Sequence, residues 1–252
     1  MSIELFSLAG RRAVVTGGGR GLGKAIAAGL ADAGATVAVV SRTSADVEAA
    51  ADELGERVVP LALDVAGDDA AGLVDAMEAA LGGAIDVVVH AAGVQHRQPA
   101  EEFAADAWDR VVRVNLTAPF RLSQEIGRRQ LATERAGSHI FIGSLTSLLS
   151  IPDVAAYTAT KSGVFGLIRT LSTEWSGRGI RVNGIGPGYF RTALTEAVFS
   201  DEERYRKMLD RIPMGRFGNP QELAGTAVFL ASDASSYTTG QLLMVDGGWT
   251  AS

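Results

Sequence analysis

The sequence contains no cysteine, which excludes disulfides, thiolate metal sites and a cysteine nucleophile. Positive charge is in deficit: 23 Lys and Arg against 29 Asp and Glu leave a formal net charge of −6. The chain therefore offers a polyanion no sequence-wide attraction, and nucleic acid is not an expected partner. No apolar run approaches the roughly 18 residues of a membrane span, so no membrane partner is expected. Histidine is scarce, and His90, His96 and His139 lack metalloenzyme spacing, so no metal is expected. Glu4 stands where a secretory leader would carry positive charge, and the first apolar cluster, Leu5 to Ala9, runs directly into Arg11 and Arg12. A cytoplasmic location is the expectation. Internal repeats, low-complexity stretches and linkers are also missing, so the 252 residues, 47% of them hydrophobic, read as one domain, 1–252.

What is present is an alternation. Short runs rich in valine and isoleucine, at 12–16, 36–40, 58–62, 87–90, 139–143, 181–185 and 242–245, read as strands. Between them, stretches of helical periodicity lie at 21–33, 45–54, 69–81, 107–129, 154–176 and 220–231. Val37 to Val40 is apolar throughout, where a sheet with one wet face would alternate with polar residues. The expected fold is α/β: a doubly wound parallel sheet with helices on both faces, its ligands beyond the carboxyl ends of the strands. Gly34 and Gly55 are candidate left-handed caps. The charge-rich segment 189–218 breaks the rhythm and is a candidate substrate lid of loop and short helix.

The first strand runs into Thr16, Gly17, Gly18, Gly19, Arg20, Gly21, Leu22 and Gly23. Such a turn lets backbone approach a ligand closely, and the amides and dipole at the following helix start suit a pyrophosphate. The glycines fall as G-x-x-x-G-x-G, not the strict G-x-G-x-x-G, and by itself the turn is also compatible with a tight strand-to-helix connection. At the end of the second strand stand Ser41 and Arg42, while the nearest acid, Asp46, is already in the next helical stretch. Arg20 and Arg42 could converge on a 2′-phosphate, which favours NADP(H) as coenzyme with NAD(H) possible. The plain alternative for Arg42 is a solvated residue after a strand.

Ser144 follows the fifth strand, Tyr157 comes 13 residues later and Lys161 another 4. Positions four apart share a helix face, so the ammonium can approach the phenol. A tyrosine ordinarily titrates near about 10, and a nearby cation favours its phenolate. Lys161 is expected to supply that downward shift.

With these residues in place, the chain resembles the short-chain dehydrogenase/reductase family from about Phe6 to Trp249. The matching motifs are TGGGRGLG at 16–23, Asp64-Val65, Asn115 in VNL, Ser144, YTATK at 157–161, PGYFRT at 187–192 and VDGGW near the end. The resemblance implies a seven-stranded Rossmann sheet of order 3-2-1-4-5-6-7. It implies Tyr157 as general acid or base, Ser144 hydrogen-bonding the substrate oxygen, Lys161 on the nicotinamide ribose, and Asn115 holding a water in a proton relay. Asp64 and Val65 would border the adenine, Ala92 and Gly93 the middle of the coenzyme, and Pro187, Gly188 and Thr192 its carboxamide and pyrophosphate side. A homo-oligomer, dimer or tetramer, is also implied. One motif departs: the usual Asn-Asn-Ala-Gly after the fourth strand is His90-Ala91-Ala92-Gly93. His90 is expected to replace the lost amides structurally by hydrogen-bonding backbone.

Within the family, the resemblance is nearest to gluconate 5-dehydrogenases and 2-deoxygluconate 3-dehydrogenases, on FSLAGRRAVVTG, GVQHRQP at 93–99, GIGPGYFRT at 184–192 and RIPMGRFGNPQEL at 211–223. It implies alcohol–ketone interconversion on a sugar acid, with Arg97 and Arg191 as candidates for its carboxylate. Arg97 could instead pair with Glu101 or Glu102. Three alternatives stay open at this stage: a 3-oxoacyl thioester reductase with the same catalytic motifs, a nucleotide-binding regulator without catalysis, and, more distantly, a methyltransferase.

Overall fold

The computed structural model describes residues 3–191 and 202–251. Seven parallel strands form one sheet: β1 (Arg12–Thr16), β2 (Thr36–Ser41), β3 (Val58–Ala62), β4 (Val87–His90), β5 (Gly137–Ile142), β6 (Ile180–Pro187) and β7 (Leu242–Val245). Their order is β3-β2-β1-β4-β5-β6-β7, as the resemblance implies.

Apolar strands bury both faces because successive side chains alternate between them. Val15, Val37 and Val39 enter a core cluster with Ile26, Leu30 and Leu223, whereas Val14, Ala38 and Val40 enter another with Met77, Leu122 and Ile126. The first cluster is built on α1 (Gly21–Asp32), α2 (Ser44–Leu54) and α8 (Glu222–Ala231). The second uses α3 (Ala70–Leu81) and α5 (Ala118–Ala132). A third cluster seats α6 (Ala155–Trp175) against Phe141 and Val182. Of the candidate lid, 192–201 lies outside the described residues. Its described part carries α7 (Glu202–Leu209), in keeping with the short helix expected there.

Two expectations change. The helix expected over 107–129 is two helices, α4 (Ala105–Val112) and α5, joined by a π-turn over Arg113–Thr117. The Ala118 N–H donates to the Arg113 carbonyl, and Pro119 lacks the N–H that an unbroken α-helix would send to the Asn115 carbonyl. Gly34 does end α1, with φ +106 and its amide bonded to Ala31. Gly55 has φ +87 but an extended ψ of −173, so it is a positive-φ stop and not a left-handed α cap.

His90 also departs from its expected role. Its Nε2 lies 2.7 Å from Ser123 Oγ on α5, a side-chain and not a backbone partner, and its ring stacks on Phe141 at 4.7 Å. His139 also reaches Ser123, at 3.0 Å. Burial brings His139 to a pKa of about 3, and burial together with the neighbouring His139 does the same for His90. Both are neutral in the fold yet titrate near 6.5 in the unfolded chain. A lowered folded pKa for a base means that the unfolded state takes up protons first, so stability is full above pH 6.5 and is lost from there down towards pH 3. Urea unfolding should show a plateau from pH 8 to 7 and a loss of about 2 kcal/mol per pH unit between 6 and 5. A flat profile from pH 7 to 5 would contradict the neutral assignment.

Candidate active site

In a parallel sheet, the crevice forms where the winding reverses, here between β1 and β4. The glycine-rich turn leaves β1 at that point. Gly17 has φ +68, and a Cβ on it would lie 2.7 Å from the Ala92 nitrogen, so only glycine lets the turn pass the end of β4. The Gly17 amide donates to Val40 on β2 at 2.7 Å, and the Ala92 amide donates to Thr16 Oγ1 at 3.2 Å. The ends of β2, β1 and β4 are thereby bound together.

Helix α1 starts at Gly21 behind an extended Arg20, so its first amides have no acceptor within the helix. Gly21 has open space around its Cα, with nothing within 4 Å of a Cβ built there. Arg20 and Arg42 are exposed and, among the described residues, form no ion pair. Amide donors, an open cradle and two guanidinium groups are a donor set that fits a dinucleotide pyrophosphate with a further phosphate. Ser41 ends β2 with its hydroxyl donated to the Thr43 carbonyl at 3.2 Å. Asp64 is exposed just past β3 and accepts from the Ala66 amide at 3.0 Å, while Val65 packs on the second core cluster. Asp46, set aside on sequence as too far along, lies against Gly19, whose Cβ would stand 3.0 Å from its own.

The proton-transfer candidates gather at the end of β5. Ser144 opens a short 3-10 turn, and its amide donates to Ser147 Oγ at 3.2 Å. The Ser147 hydroxyl donates to the Lys161 carbonyl on α6 at 2.9 Å. Lys161 Nζ donates to the Ile142 carbonyl at 2.7 Å and stands 5.5 Å from the centre of the Tyr157 ring, so the four-residue spacing does place both on one face. Ser147, which the sequence reading missed, joins Ser144 to α6.

The electrostatics differ from expectation. Tyr157 is not lowered: burial raises the phenol above its usual range and outweighs a hydrogen bond with Ser144, and Tyr189 adds to the rise. Burial brings Lys161 down to about 8. Desolvation penalises both charged forms, and the ammonium hydrogen-bonds the Ile142 carbonyl rather than the phenol.

Around this centre, Asn115 on the π-turn grips the Val94 backbone, accepting from its amide at 2.9 Å and donating to its carbonyl at 2.8 Å. Gly93 faces the Asn115 Oδ1, 3.5 Å from where its Cβ would be. Arg97 is exposed and pairs with neither Glu101 nor Glu102. Its neighbour Gln98 donates its amide to the Asp153 carbonyl at 2.9 Å, tying this loop to the one that leads into Tyr157. Pro187 ends β6, and the Gly188 amide donates to Val245 at 2.9 Å. Arg191 is exposed, its amide bonded to Gly218; Thr192 lies outside the described residues. Among the described residues, no three His, Asp or Glu side chains are grouped to hold a metal ion, and no helix is long and apolar enough to cross a membrane.

Ser147→Ala would leave the Ser144 amide and the Lys161 carbonyl without their bridge. The thermal unfolding curve should show a loss of about 1–3 kcal/mol, and turnover should fall several-fold. Wild-type stability and turnover together would show that the bridge holds nothing.

Residues 17–250 match the family model described as enoyl-(acyl carrier protein) reductase. The chain is 44% identical to a 2-dehydro-3-deoxy-D-gluconate 5-dehydrogenase of Pseudoalteromonas atlantica, over 98% of each chain. It is 41% identical to a gluconate 5-dehydrogenase of Gluconobacter oxydans, over 99% of this chain and 98% of that one. The crystal structure of a gluconate 5-dehydrogenase from Burkholderia cenocepacia in complex with NADP and tartrate superposes with a TM-score of 0.92 at 40% identity, covering 99% of this chain and 98% of that one. With the sheet order, the glycine turn and the Ser144, Tyr157 and Lys161 cluster already in place, these matches show that the chain belongs to the short-chain dehydrogenase/reductase family.

Proposed function

We propose that this protein is an NADP(H)-dependent oxidoreductase that interconverts a secondary alcohol and a ketone on a sugar acid of the gluconate and ketogluconate class. The observation that carries the reading is the Ser144–Ser147–Lys161 linkage beside Tyr157, standing at the strand ends next to the glycine cradle. The names of the relatives supply the substrate class, and the NADP in the Burkholderia cenocepacia structure supports the coenzyme.

With its pyrophosphate held at the cradle, a reduced coenzyme would supply hydride to the carbonyl carbon. The protein's own groups handle the oxygen. Tyr157, whose phenol burial holds above its usual range, gives its proton to that oxygen as charge develops there, and Ser144 holds the same oxygen by a hydrogen bond. The Lys161 ammonium, 5.5 Å from the centre of the ring, stabilises the phenolate left behind; oxidation runs these steps in reverse. The Asn115 side chain is committed to Val94, so its share of a proton relay falls to its main-chain carbonyl, which Pro119 cannot cap in α-helical fashion.

In the same reading Gly17, Gly19, Gly21, Leu22 and Gly23 shape the pyrophosphate site and Arg20 and Arg42 take the 2′-phosphate. Ser41, Asp64 and Val65 line the adenosine side, and Ala92, Gly93, Pro187, Gly188 and Thr192 the nicotinamide half. Arg97, in no ion pair among the described residues and on a loop tied to the approach to Tyr157, offers a fork to the sugar-acid carboxylate, with Arg191 as a second candidate. One domain with a lid over 189–218, a cytoplasmic location and a dimer or tetramer belong to this proposal. The edge strand β7, half-exposed along its length, is surface that a second copy would cover.

A substrate panel followed by NADPH absorbance tests the function. Ketogluconates should be reduced in preference to acetoacetyl thioesters; the reverse preference would make the protein a 3-oxoacyl thioester reductase, and tight NADPH binding with no turnover of any carbonyl would make it a non-catalytic binder. Tyr157→Phe should lower kcat by at least about 100-fold while the NADPH dissociation constant stays within about twofold, and a large loss of binding would assign the phenol a structural role. Arg42→Asp should move the ratio of kcat/KM from NADPH towards NADH by about tenfold or more, the order of one charge-assisted hydrogen bond. Unchanged selectivity would remove Arg42 from the phosphate site.

A further inference from the structure

Four polar side chains, His90, Ser123, Gln130 and His139, are each at most 5% exposed and lie in a core otherwise built of Val, Leu and Ile. Their hydrogen-bond directions follow from one end. The Ile85 carbonyl only accepts, so the Gln130 group 3.0 Å from it is the amide nitrogen. Gln130 Oε1 therefore faces His139 Nε2 at 3.0 Å and receives its proton. A neutral His139 then accepts at Nδ1 from the Ser123 hydroxyl, 3.0 Å away. With its only proton spent there, Ser123 Oγ accepts from His90 Nε2–H at 2.7 Å. His90 Nδ1 is left as a bare acceptor with no partner among the described residues.

Such a chain is an expensive way to fill a core, since apolar residues of the same shape would be as stable or more so. What directional bonds add is register. Along the π-turn and α5, Asn115, Ser123 and Gln130 meet Val94, His90 and Ile85 in turn, three rungs between the helical segment and β4 with the chain on either side of it. Sliding the helix by one residue, about 1.5 Å, would break all three. The top rung is the Asn115 turn. Phe141, which stacks on the His90 ring, immediately precedes Ile142, whose carbonyl receives Lys161 Nζ. His139 is likewise in edge contact with Trp175 at the end of the catalytic helix α6.

We propose that His90 is a positioning residue: its bond to Ser123 and its stack on Phe141 set where the Asn115 turn and the Ile142 carbonyl stand, and so where Lys161 is held beside Tyr157. The inference rests on the reading of Tyr157 and Lys161 as the proton-transferring pair, but not on the identity of the substrate. A displacement of about 1 Å at such a pair lowers turnover by one to two orders of magnitude.

The test uses the NADP-saturated protein with carbon-13-labelled tyrosine and follows the Tyr157 phenol by NMR against pH, assigned with Tyr157→Phe. Three variants are compared: Ser123→Ala, which removes the hub with almost no change in volume; His90→Phe, which keeps the ring on Phe141 but no nitrogen; and His90→Gln, whose amide nitrogen reaches the Nε2 position. Ser123→Ala and His90→Phe should each shift the phenol titration by about half a pH unit or more and lower kcat by about tenfold, with KM for NADPH unchanged. His90→Gln should restore both. If Ser123→Ala folds with a lowered melting point but keeps the wild-type titration and kcat, the bonds hold only the core and the proposal is overturned. A His90→Gln variant as impaired as His90→Phe would overturn it too. Should His90→Phe not fold, Ser123→Ala decides alone. A wild-type protein inactive on ketogluconates would count against the proposed substrate and leave the titration comparison standing.

Discussion

The architecture of the site depends on one desolvated cation. Lys161 is 5% exposed, and its ammonium donates to a backbone carbonyl, Ile142 O. Removing a charge from water costs several kcal/mol unless hydrogen bonds and neighbours compensate. Here the compensation is a single carbonyl dipole, which leaves the desolvation incompletely offset, and burial lowers the pKa of the ammonium to about 8. The amine remains mostly protonated at neutral pH, yet its charge is poorly satisfied, which makes a developing phenolate on the neighbouring ring a favourable partner. Burial likewise raises the Tyr157 phenol above its usual range. In the proposed reaction, proton loss from the phenol is stabilised by the ammonium, and the neutral phenol donates to the carbonyl oxygen.

Keeping that arrangement in place occupies much of the fold. The Ile142 carbonyl is fixed because β5 lies between β4 and β6 in the middle of the sheet. The Lys161 carbonyl is bridged to Ser144 through Ser147. The glycine turn is bound to β2 and the end of β4 through Gly17 and Thr16, so the turn and the Lys161 ammonium are referenced to the strand ends of one sheet. Catalysis that relies on near-attack geometry needs this kind of common frame.

The parts of this design that depend on local pattern were readable in the sequence. All-apolar strands such as Val37–Val40 announced a sheet covered on both faces, and the glycine run announced the turn. The Tyr157 and Lys161 spacing placed two side chains on one helix face. What depends on contacts distant in sequence was not readable. Asp46 looked remote from the turn until the fold laid α2 against Gly19. Ser147 gave no signal, because its hydroxyl gains its role only when α6 brings the Lys161 carbonyl to it, 14 residues on. His90 stood out as a departure, but its actual partners, Ser123 and Phe141, lie 33 and 51 residues away. The break in the long helix had a local sign, Pro119, four residues after Asn115, which the apolar periodicity outweighed. The direction of the Tyr157 shift was misjudged because sequence reveals a neighbouring charge but not the loss of solvent, and the second effect is the larger.

The central claim is that burial depresses the Lys161 ammonium although the Ile142 carbonyl accepts its hydrogen bond. Heteronuclear NMR titration of the lysine side-chain amines, with Lys161→Met to assign the signal, measures this directly. The account predicts that Lys161 titrates near pH 8 in the coenzyme-free protein. A value at the ordinary lysine position of about 10.4 would mean that the ammonium is solvated or paired with a charge, and would contradict it.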